Sequence, residues 1–264
     1  MKWARGRTAD GSVITGILAQ GALHPRVALG SETSAGAPVP LEDVTLLAPV
    51  VPGKFIGLWN NFGAAAEKNG HQRPQHPLYF LKPDTALSGP DATVVLPVAA
   101  GRVVFEGELG IVIGQTCRAV TVAQAEAAIL GYTCVNDFTS LDVLNADPSF
   151  PQWTRAKGFD GFGVAGPVIE TEAMWRDLEI KVMVDGRERQ SYSAADMILT
   201  PPQIVSLLSQ DMTLNAGDLI ACGTSLGARP VKTGQRIEVV IEGVGTLGVT
   251  MAAPEAQDHG AAHP

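Results

Sequence analysis

Cysteine, basic charge and long apolar runs are all scarce in this chain of 264 residues. Its three cysteines, Cys117, Cys134 and Cys222, lie far apart and form no Cys-x-x-Cys pair, which argues against a zinc knuckle and a disulfide framework. They stand in apolar segments, so we expect them to be buried small hydrophobic residues. No apolar run reaches the roughly 18 residues of a membrane span. These absences favour a soluble, cytoplasmic protein in a reducing compartment, without membrane contact.

Acidic residues outnumber basic ones by 27 to 19, and the formal net charge at pH 7 is -8. The chain has no basic run, which argues against nucleic acid as a partner. An anionic small molecule could still bind, but it would need a local cation, either a lysine or arginine or a metal ion. Hydrophobic residues make up 45% of the chain, enough for a sizeable core.

The pattern of short segments predicts a β-dominated α+β fold. The 29 glycines and 18 prolines are typical of a turn-rich protein, and short strand patterns outnumber helical ones without a regular strand–helix alternation. At roughly 150 residues per domain, the length predicts one large domain, or one domain plus a small appendage. We predict a small strand-rich N-terminal domain at residues 1–50, a catalytic domain at residues 51–252 and a disordered tail at residues 253–264.

Two carboxylates lie two residues apart in the apolar segment 103–114, which predicts a strand. Side chains at positions i and i+2 of a strand share a face, so Glu106 and Glu108 should point the same way. Two like charges in apolar surroundings are costly unless a cation neutralises them. Gly107 between them leaves room for a ligand or for backbone. The alternative interpretation is an exposed pair at a sheet edge with Lys or Arg partners.

Asp137 follows a buried apolar segment and stands where a strand should end. A carboxylate there would complete an oxygen ligand set with Glu106 and Glu108. Three carboxylates without nearby His or Cys favour a hard cation, Mg²⁺ or Mn²⁺, over Zn²⁺. A 2-oxo acid suits such an ion, because its carboxylate and keto oxygen chelate together and the ion then stabilises an enolate.

Three further segments carry candidate residues. Lys157 stands between aromatic and glycine residues, either buried where it would stabilise negative charge or exposed as a surface lysine. Thr224 lies in a Gly-Thr-Ser turn that could hold a carboxylate or could merely connect two strands. The polar segment 60–77, in which residues 64–68 could form one helical turn or two, is typical of a lid or of a plain surface loop.

Six segments together resemble the fumarylacetoacetate hydrolase family, over most of the chain from about Leu47 to Val249. They are FEGELGIVIG (105–114), GYTCVNDFTSLD (131–142), WTRAKGFDGFGVAGP (153–167), ADMI (195–198), LNAGDLIACGTSLG (214–227) and GQRIEVVIEGVGTL (234–247). Each segment is modest alone, and the ordered set is specific.

The resemblance implies a mixed β-sandwich or roll of twisted sheets around a central metal site, in a homodimer. It implies Mg²⁺, Mn²⁺ or Ca²⁺ held by Glu106, Glu108 and Asp137. Lys157 matches the family's active-site lysine, and Thr224 matches its contact to the substrate carboxylate. Members of the family cleave, decarboxylate, hydrate or isomerise 2-oxo and 1,3-dioxo acids, and the resemblance suggests a role in aromatic compound catabolism.

The chain departs from the family in the lid, where hydrolases of the family carry Asn-Tyr-x-x-His with a Glu one helical turn later. Ala65 stands at the His position and Lys68 at the Glu position. Glu67, His71 or His76 could supply a base instead, although His71 could also be a solvated loop residue. Leu141 and Leu144 replace the family's Arg and Gln, which favours a less charged or more apolar substrate tail.

We therefore expect a metal-dependent enzyme that acts on a 2-oxo or β-diketo acid through an enolate, first by C–C hydrolysis of an acylpyruvate. A decarboxylase, isomerase or hydratase of the same family is the second hypothesis, since the lid His is absent. A ligand-binding homologue without turnover is the third. The assigned residues are Lys157, Glu67 and His71 for catalysis, Thr224, Lys82 and Phe62 for substrate binding, and Glu106, Glu108 and Asp137 for the metal.

Overall fold

A computed structural model describes residues 1–254, so the predicted tail lies outside the described residues from position 255 onward. The strands are β1 (Lys2–Thr8), β2 (Val13–Ala19), β3 (Ala22–Pro25), β4 (Val39–Pro40), β5 (Val44–Leu47), β6 (Phe55–Trp59), β7 (Leu78–Lys82), β8 (Leu87–Ser88), β9 (Ala92–Val95), β10 (Val103–Val104), β11 (Gly107–Ile113), β12 (Ile129–Asp137), β13 (Thr139–Ser140), β14 (Gly163–Glu170), β15 (Glu179–Val184), β16 (Arg187–Ser193), β17 (Leu219–Ala221), β18 (Arg236–Ile241) and β19 (Gly245–Ala252).

Helices are few and short beside these strands. They are α1 (Gly63–Asn69), α2 (Val122–Ala128), α3 (Leu141–Leu144), α4 (Trp153–Lys157) and α5 (Pro201–Asp211). Single 3₁₀ turns lie at Leu41–Asp43, Asp84–Ala86, Val98–Ala100, Trp175–Asp177 and Ala194–Asp196. Within residues 1–254 no helix has the length and apolar character needed to cross a bilayer.

The strands form two main sheets and one short pair within the described chain. The large sheet has the order β4-β3-β2-β1-β14-β12-β11-β17-β6-β7, and β5 and β8 pair with β1 and β14 beside it. The second sheet has the order β16-β15-β18-β19-β9, and β10 pairs with β13. The β-dominated α+β fold predicted from the sequence is confirmed.

Strand β11 lies at the centre of the large sheet and is buried along its whole length. Successive side chains of a strand point to opposite faces. Leu109 and Ile111 accordingly join the core between the two sheets, together with Val182 of β15. Val112 joins a second core on the other face, together with Val135 of β12. Both faces are covered, which is why this segment is continuously apolar rather than alternating.

The predicted strand 103–114 is interrupted in the structure. β10 ends at Val104 and β11 begins at Gly107, because the two strands have different partners: β10 pairs with β13, whereas β11 pairs with β12 and β17. At the junction the Glu106 carbonyl accepts a hydrogen bond from the Asp137 N–H at 2.9 Å. The interruption places Glu106 where the two strand pairs meet.

The N-terminal strands continue the large sheet. β1 pairs antiparallel with β14 through Lys2 opposite Glu170 and Trp3 opposite Ile169. Trp3 is buried in the same core as Ile169 and Val112. The sequence analysis predicted a separate small domain for residues 1–50, and that boundary stays a prediction.

Candidate active site

Three carboxylates meet where β11 and β12 lie side by side. Glu106 precedes β11, Glu108 is its second residue, and Asp137 ends β12. The register pairs Gly107 with Asn136, so the two glutamates flank the position opposite the end of β12. One carboxylate oxygen of each residue lies within 4.8 Å of the others. Glu108 and Asp137 are buried, and Glu106 is partly buried.

A hydrogen-bond network fixes the Gly107 peptide, and two of its members, Gln190 and Tyr192, were not predicted from the sequence. Its carbonyl accepts hydrogen bonds from the Tyr192 hydroxyl at 2.5 Å and the Thr224 hydroxyl at 3.0 Å. Its N–H donates to Gln190 Oε1 at 3.3 Å, and Gln190 Nε2 donates to Thr224 Oγ1 at 2.8 Å. A Cβ at position 107 would lie 2.3 Å from Val182 Cγ2, so glycine is required for this close approach. The network holds the peptide that carries both glutamates.

Two buried lysines neutralise part of this acidic cluster. Lys157 Nζ, from the last residue of α4, donates to Glu106 Oε2 at 2.5 Å and to Asp137 Oδ2 at 2.6 Å. Lys82 Nζ, from the end of β7, donates to Asp137 Oδ1 at 2.5 Å and to the carbonyls of Lys157 and Phe162. Both side chains are almost completely buried, so these are interior ion pairs.

Burial and neighbouring charges together set the pKa values of the groups in the cluster. Burial raises the pKa of Glu106, and it raises the pKa of Glu108 further, with the Asp137 carboxylate adding to the effect on Glu108. Burial also opposes ionisation of Asp137, but Lys157 and Lys82 together hold its pKa below the usual value. Burial opposes protonation of Lys157 as well, yet the three carboxylates raise its pKa.

The donor set fits a hard divalent cation. Three carboxylates face two ammonium groups, so one negative charge is left without a partner when all are ionised. Glu108 Oε2 accepts from the Gly223 N–H at 2.7 Å, and no lysine reaches this carboxylate among the described residues. Carboxylate oxygens are the ligands that Mg²⁺ and Mn²⁺ prefer, and Cys or His does not join the cluster within residues 1–254.

A cavity of about 270 Å³ opens onto the cluster. Its lining includes Glu106, Lys157, Thr224, Ala65, His71 and the two tryptophans Trp59 and Trp153. Larger cavities of about 510 and 620 Å³ lie elsewhere. We assign the site to the smaller cavity because it alone of these three exposes the carboxylate and lysine of the cluster.

The structure brings some of the assigned residues to this cavity and not others. Thr224 and His71 line it, and the His71 ring meets the Trp59 ring edge-on at 4.9 Å. Glu67 is exposed on α1 and does not belong to the lining. Lys82 lies behind the cluster, and Phe62 is fully buried against Tyr192, with ring centroids 4.8 Å apart. The substrate-binding roles of Lys82 and Phe62 stay predictions.

The predicted lid contains the short helix α1, held at its N-terminal end. Asn61 Nδ2 donates to the carbonyls of Leu199 and Cys222 at 3.2 and 3.0 Å, and its Oδ1 accepts from the Leu199 N–H at 2.9 Å. Asp196 Oδ2 accepts from the Ala64 N–H at 2.9 Å and so caps α1 from another part of the chain. The sequence pattern predicted a helical turn at residues 64–68, and α1 confirms it.

Comparisons with known proteins agree with this geometry. Residues 54–252 match the profile of the fumarylacetoacetate (FAA) hydrolase C-terminal domain. Protein Rv2993c of Mycobacterium tuberculosis is 42% identical over 227 residues, covering 85% of this chain and 83% of that protein.

Two solved structures share the fold over nearly the whole chain. A 5-carboxymethyl-2-hydroxymuconate delta-isomerase from Mycobacterium smegmatis is 36% identical, with a TM-score of 0.86 and coverage of 96% of this chain and 99% of that one. A maleylpyruvate hydrolase from Sphingobium sp. SYK-6, in complex with manganese (II) ion and pyruvate, is 30% identical, with a TM-score of 0.78 and coverage of 97% and 100%. The similar structures thus include an isomerase and a hydrolase.

Proposed function

The chain belongs to the fumarylacetoacetate hydrolase family, and from that premise we propose that it is a divalent-metal-dependent enzyme acting on a 2-oxo or β-diketo acid. The observation that carries the proposal is the convergence of Glu106, Glu108 and Asp137 beside Lys157 at one cavity. The manganese and pyruvate in the similar maleylpyruvate hydrolase support this assignment.

Glu106, Glu108 and Asp137 would hold the ion, Mg²⁺ or Mn²⁺. Once bound, such an ion supplies Lewis-acid stabilisation of negative charge on a keto oxygen. Lys157 places a buried ammonium beside Glu106 and Asp137, where it stabilises the negative charge that develops on the substrate. Thr224 lies at the same cavity, where its hydroxyl would turn from the Gly107 carbonyl to donate to the substrate carboxylate.

We place C–C hydrolysis of an acylpyruvate first among the reactions. Among the described residues that line the cavity, His71 and Lys157 are the two basic side chains. His71 would take a proton from the attacking water. The water oxygen bonds to the acyl carbon, the bond between that carbon and the pyruvate methylene breaks, and the departing pyruvate enolate takes up the proton that His71 had accepted. Glu67 is less suited to this role because it faces solvent on α1.

Ala65 supports a second reaction class. It lines the cavity at the position where the family resemblance implies a histidine in hydrolases, and a methyl group there activates no water. Isomerisation or hydration of a 2-oxo acid, or decarboxylation of one with a second carboxylate β to its keto group, also proceeds through an enolate and needs no water activated at that position. The isomerase among the similar structures supports this alternative.

Acetylpyruvate separates these proposals. Its ultraviolet absorbance should fall in the presence of enzyme and Mg²⁺, and EDTA or Glu106→Ala should abolish the loss. Acetate and pyruvate as products support hydrolysis. Carbon dioxide released from oxaloacetate, with acetylpyruvate left intact, supports decarboxylation. Thermal stabilisation by oxo acids without any product would instead identify a binding protein and refute the enzyme proposal.

A further inference from the structure

Aromatic side chains form a continuous column along one wall of the candidate cavity. The Phe80 and Trp153 rings stack with centroids 5.8 Å apart and an interplanar angle of 14°. Trp153 meets Trp59 at 5.7 Å, and Trp59 meets His71 at 4.9 Å. Trp59, Trp153 and His71 all line the cavity, and 37% of Trp59 is exposed. An aromatic surface is therefore available to a ligand in the cavity.

The column begins at the reacting end of the site. Lys157 Nζ lies 5.0 Å from the centroid of the Phe80 ring, and the same ammonium bonds to Glu106 and Asp137. A ligand whose oxo-acid end meets the carboxylate cluster would thus extend its tail along Trp153 and Trp59. At about 270 Å³ the cavity suits a small ligand, since ligand sites commonly measure about 300–1,000 Å³.

The ammonium charge of the cavity lies at its inner end. Among the described residues that line it, Lys157 is the lysine, and its ammonium already faces two carboxylates. His71 is the other basic side chain of the lining, and its ring packs against Trp59. No arginine belongs to this lining within residues 1–254. A carboxylate at the far end of a ligand would therefore lose hydration at the tryptophans without gaining a lysine or arginine partner. The predicted apolar tail rested on Leu141 and Leu144, which lie outside this lining.

We propose that Trp59 and Trp153 form a subsite for an aryl tail, so that the substrates are 2-oxo acids ending in an aromatic ring, such as aroylpyruvates, rather than dicarboxylates. The proposal rests on the oxo-acid function proposed above. An aromatic ring gains stacking on Trp59 in addition to the burial of its apolar surface, whereas a carboxylate of similar length gains neither. Trp59 and Trp153 are specificity-determining residues in this account.

Binding of two inert analogues tests the subsite without turnover. Both 4-phenyl-2-oxobutanoate and 2-oxoadipate carry the 2-oxo acid end, and they differ in a phenyl or a carboxylate tail. Isothermal titration of the full chain with Mg²⁺ should give at least about tenfold tighter binding for the phenyl compound. Trp59→Ala should weaken binding of the phenyl compound at least about fivefold more than it weakens binding of pyruvate, which has no tail.

The control variant is Trp175→Phe, since Trp175 is a buried tryptophan outside the cavity lining. It should leave the preference for the phenyl compound unchanged. Equal affinity for the two analogues, or an equal loss for all ligands in Trp59→Ala, would overturn the subsite while metal-dependent pyruvate binding left the proposed function intact. Absence of metal-dependent binding for every 2-oxo acid, pyruvate included, would overturn the proposed function and the subsite with it.

Discussion

At the scale of single residues, the candidate site places three carboxylates beside two ammonium groups within the described residues. The spacing Glu-Gly-Glu in an apolar segment was enough to predict that Glu106 and Glu108 share a face, and the end of the next apolar run pointed to Asp137. Gln190 and Tyr192 could not be found this way. They reach Gly107 across more than 80 positions of sequence, and only the pairing of the sheets brings them there.

Glu108→Gln tests the ligand assignment. The substitution keeps the size of the side chain and removes its charge, so affinity for Mg²⁺ or Mn²⁺ should fall at least about tenfold and activity with it. Isothermal titration of metal into the metal-free protein measures the change. Glu188→Gln, on an exposed position of β16, is the matched control and should bind metal like the parent. An unchanged titration of Glu108→Gln would refute the assignment.

Lys157→Ala separates catalysis from metal binding. Loss of the ammonium should lower kcat at least about 100-fold, since a buried charge aimed at the reacting end is worth that much in comparable sites. Metal should still bind, because the three carboxylates remain. Steady-state kinetics and metal titration of the same preparation check both statements. Lys181→Ala, at a half-buried lysine of β15 outside the cavity lining, controls for loss of charge. Loss of the metal itself in Lys157→Ala would mean that the lysine organises the carboxylates.

The three cysteines are buried in the structure, as the sequence analysis predicted. Burial raises the pKa of Cys134 to about 12, so its thiol is protonated at pH 8. Ellman's reagent should therefore label none of the three in the folded protein and all of them in guanidinium chloride. The folded state holds this proton more tightly than the unfolded state, so stability should fall as pH rises above about 8.5. Rapid labelling of the native protein would contradict the packing.

At the scale of elements, the predicted lid contains a short helix, α1, that is held by a polar anchor. Asn61 carries three hydrogen bonds in the interior, and Asp196 caps α1 from the segment after β16. The anchor joins the lid to the strand end at Cys222, which directly precedes the turn that bears Thr224. Local periodicity predicted the helical turn but gave no sign of these long-range partners.

Asn61→Ala should destabilise the fold by about 2–4 kcal/mol, because it leaves the Leu199 N–H and two buried carbonyls without their partner. Urea unfolding measures the change in the free energy of unfolding. Asn215→Ala, at an exposed position, should change it by less than about 0.5 kcal/mol. Equal stability of the two variants would show that Asn61 does not anchor the lid.

Strands with regular patterning were predictable, and strands rich in glycine were not. The Asp185-Gly186 pair is typical of a hairpin turn, and both residues adopt positive φ, 49° and 72°, between β15 and β16. β14 escaped prediction because Gly163, Gly166 and Pro167 interrupt its apolar pattern. Its strand conformation comes from pairing with β12 and β1, which no local pattern encodes.

At the scale of the whole molecule, one sheet runs from the N-terminal strands to the candidate site. The family and the β-dominated fold were predictable from the ordered set of segments, because that set spans most of the chain. The homodimer, the cytoplasmic location and the role in aromatic catabolism remain predictions. The reason for expecting an apolar substrate tail is different in the structure. In the sequence it rested on Leu141 and Leu144, whereas our proposal from the structure rests on the two tryptophans that line the cavity.

The central proposal is that three acidic side chains bind one divalent ion together with an oxo acid. Crystals of the protein grown with Mn²⁺ and oxalate, measured at the manganese absorption edge, test this directly. We predict one strong anomalous peak about 2.1 Å from an oxygen of each of Glu106, Glu108 and Asp137, with oxalate bound to the same ion. A peak elsewhere, or no peak while Lys157 still bonds to Glu106 and Asp137, would contradict the account.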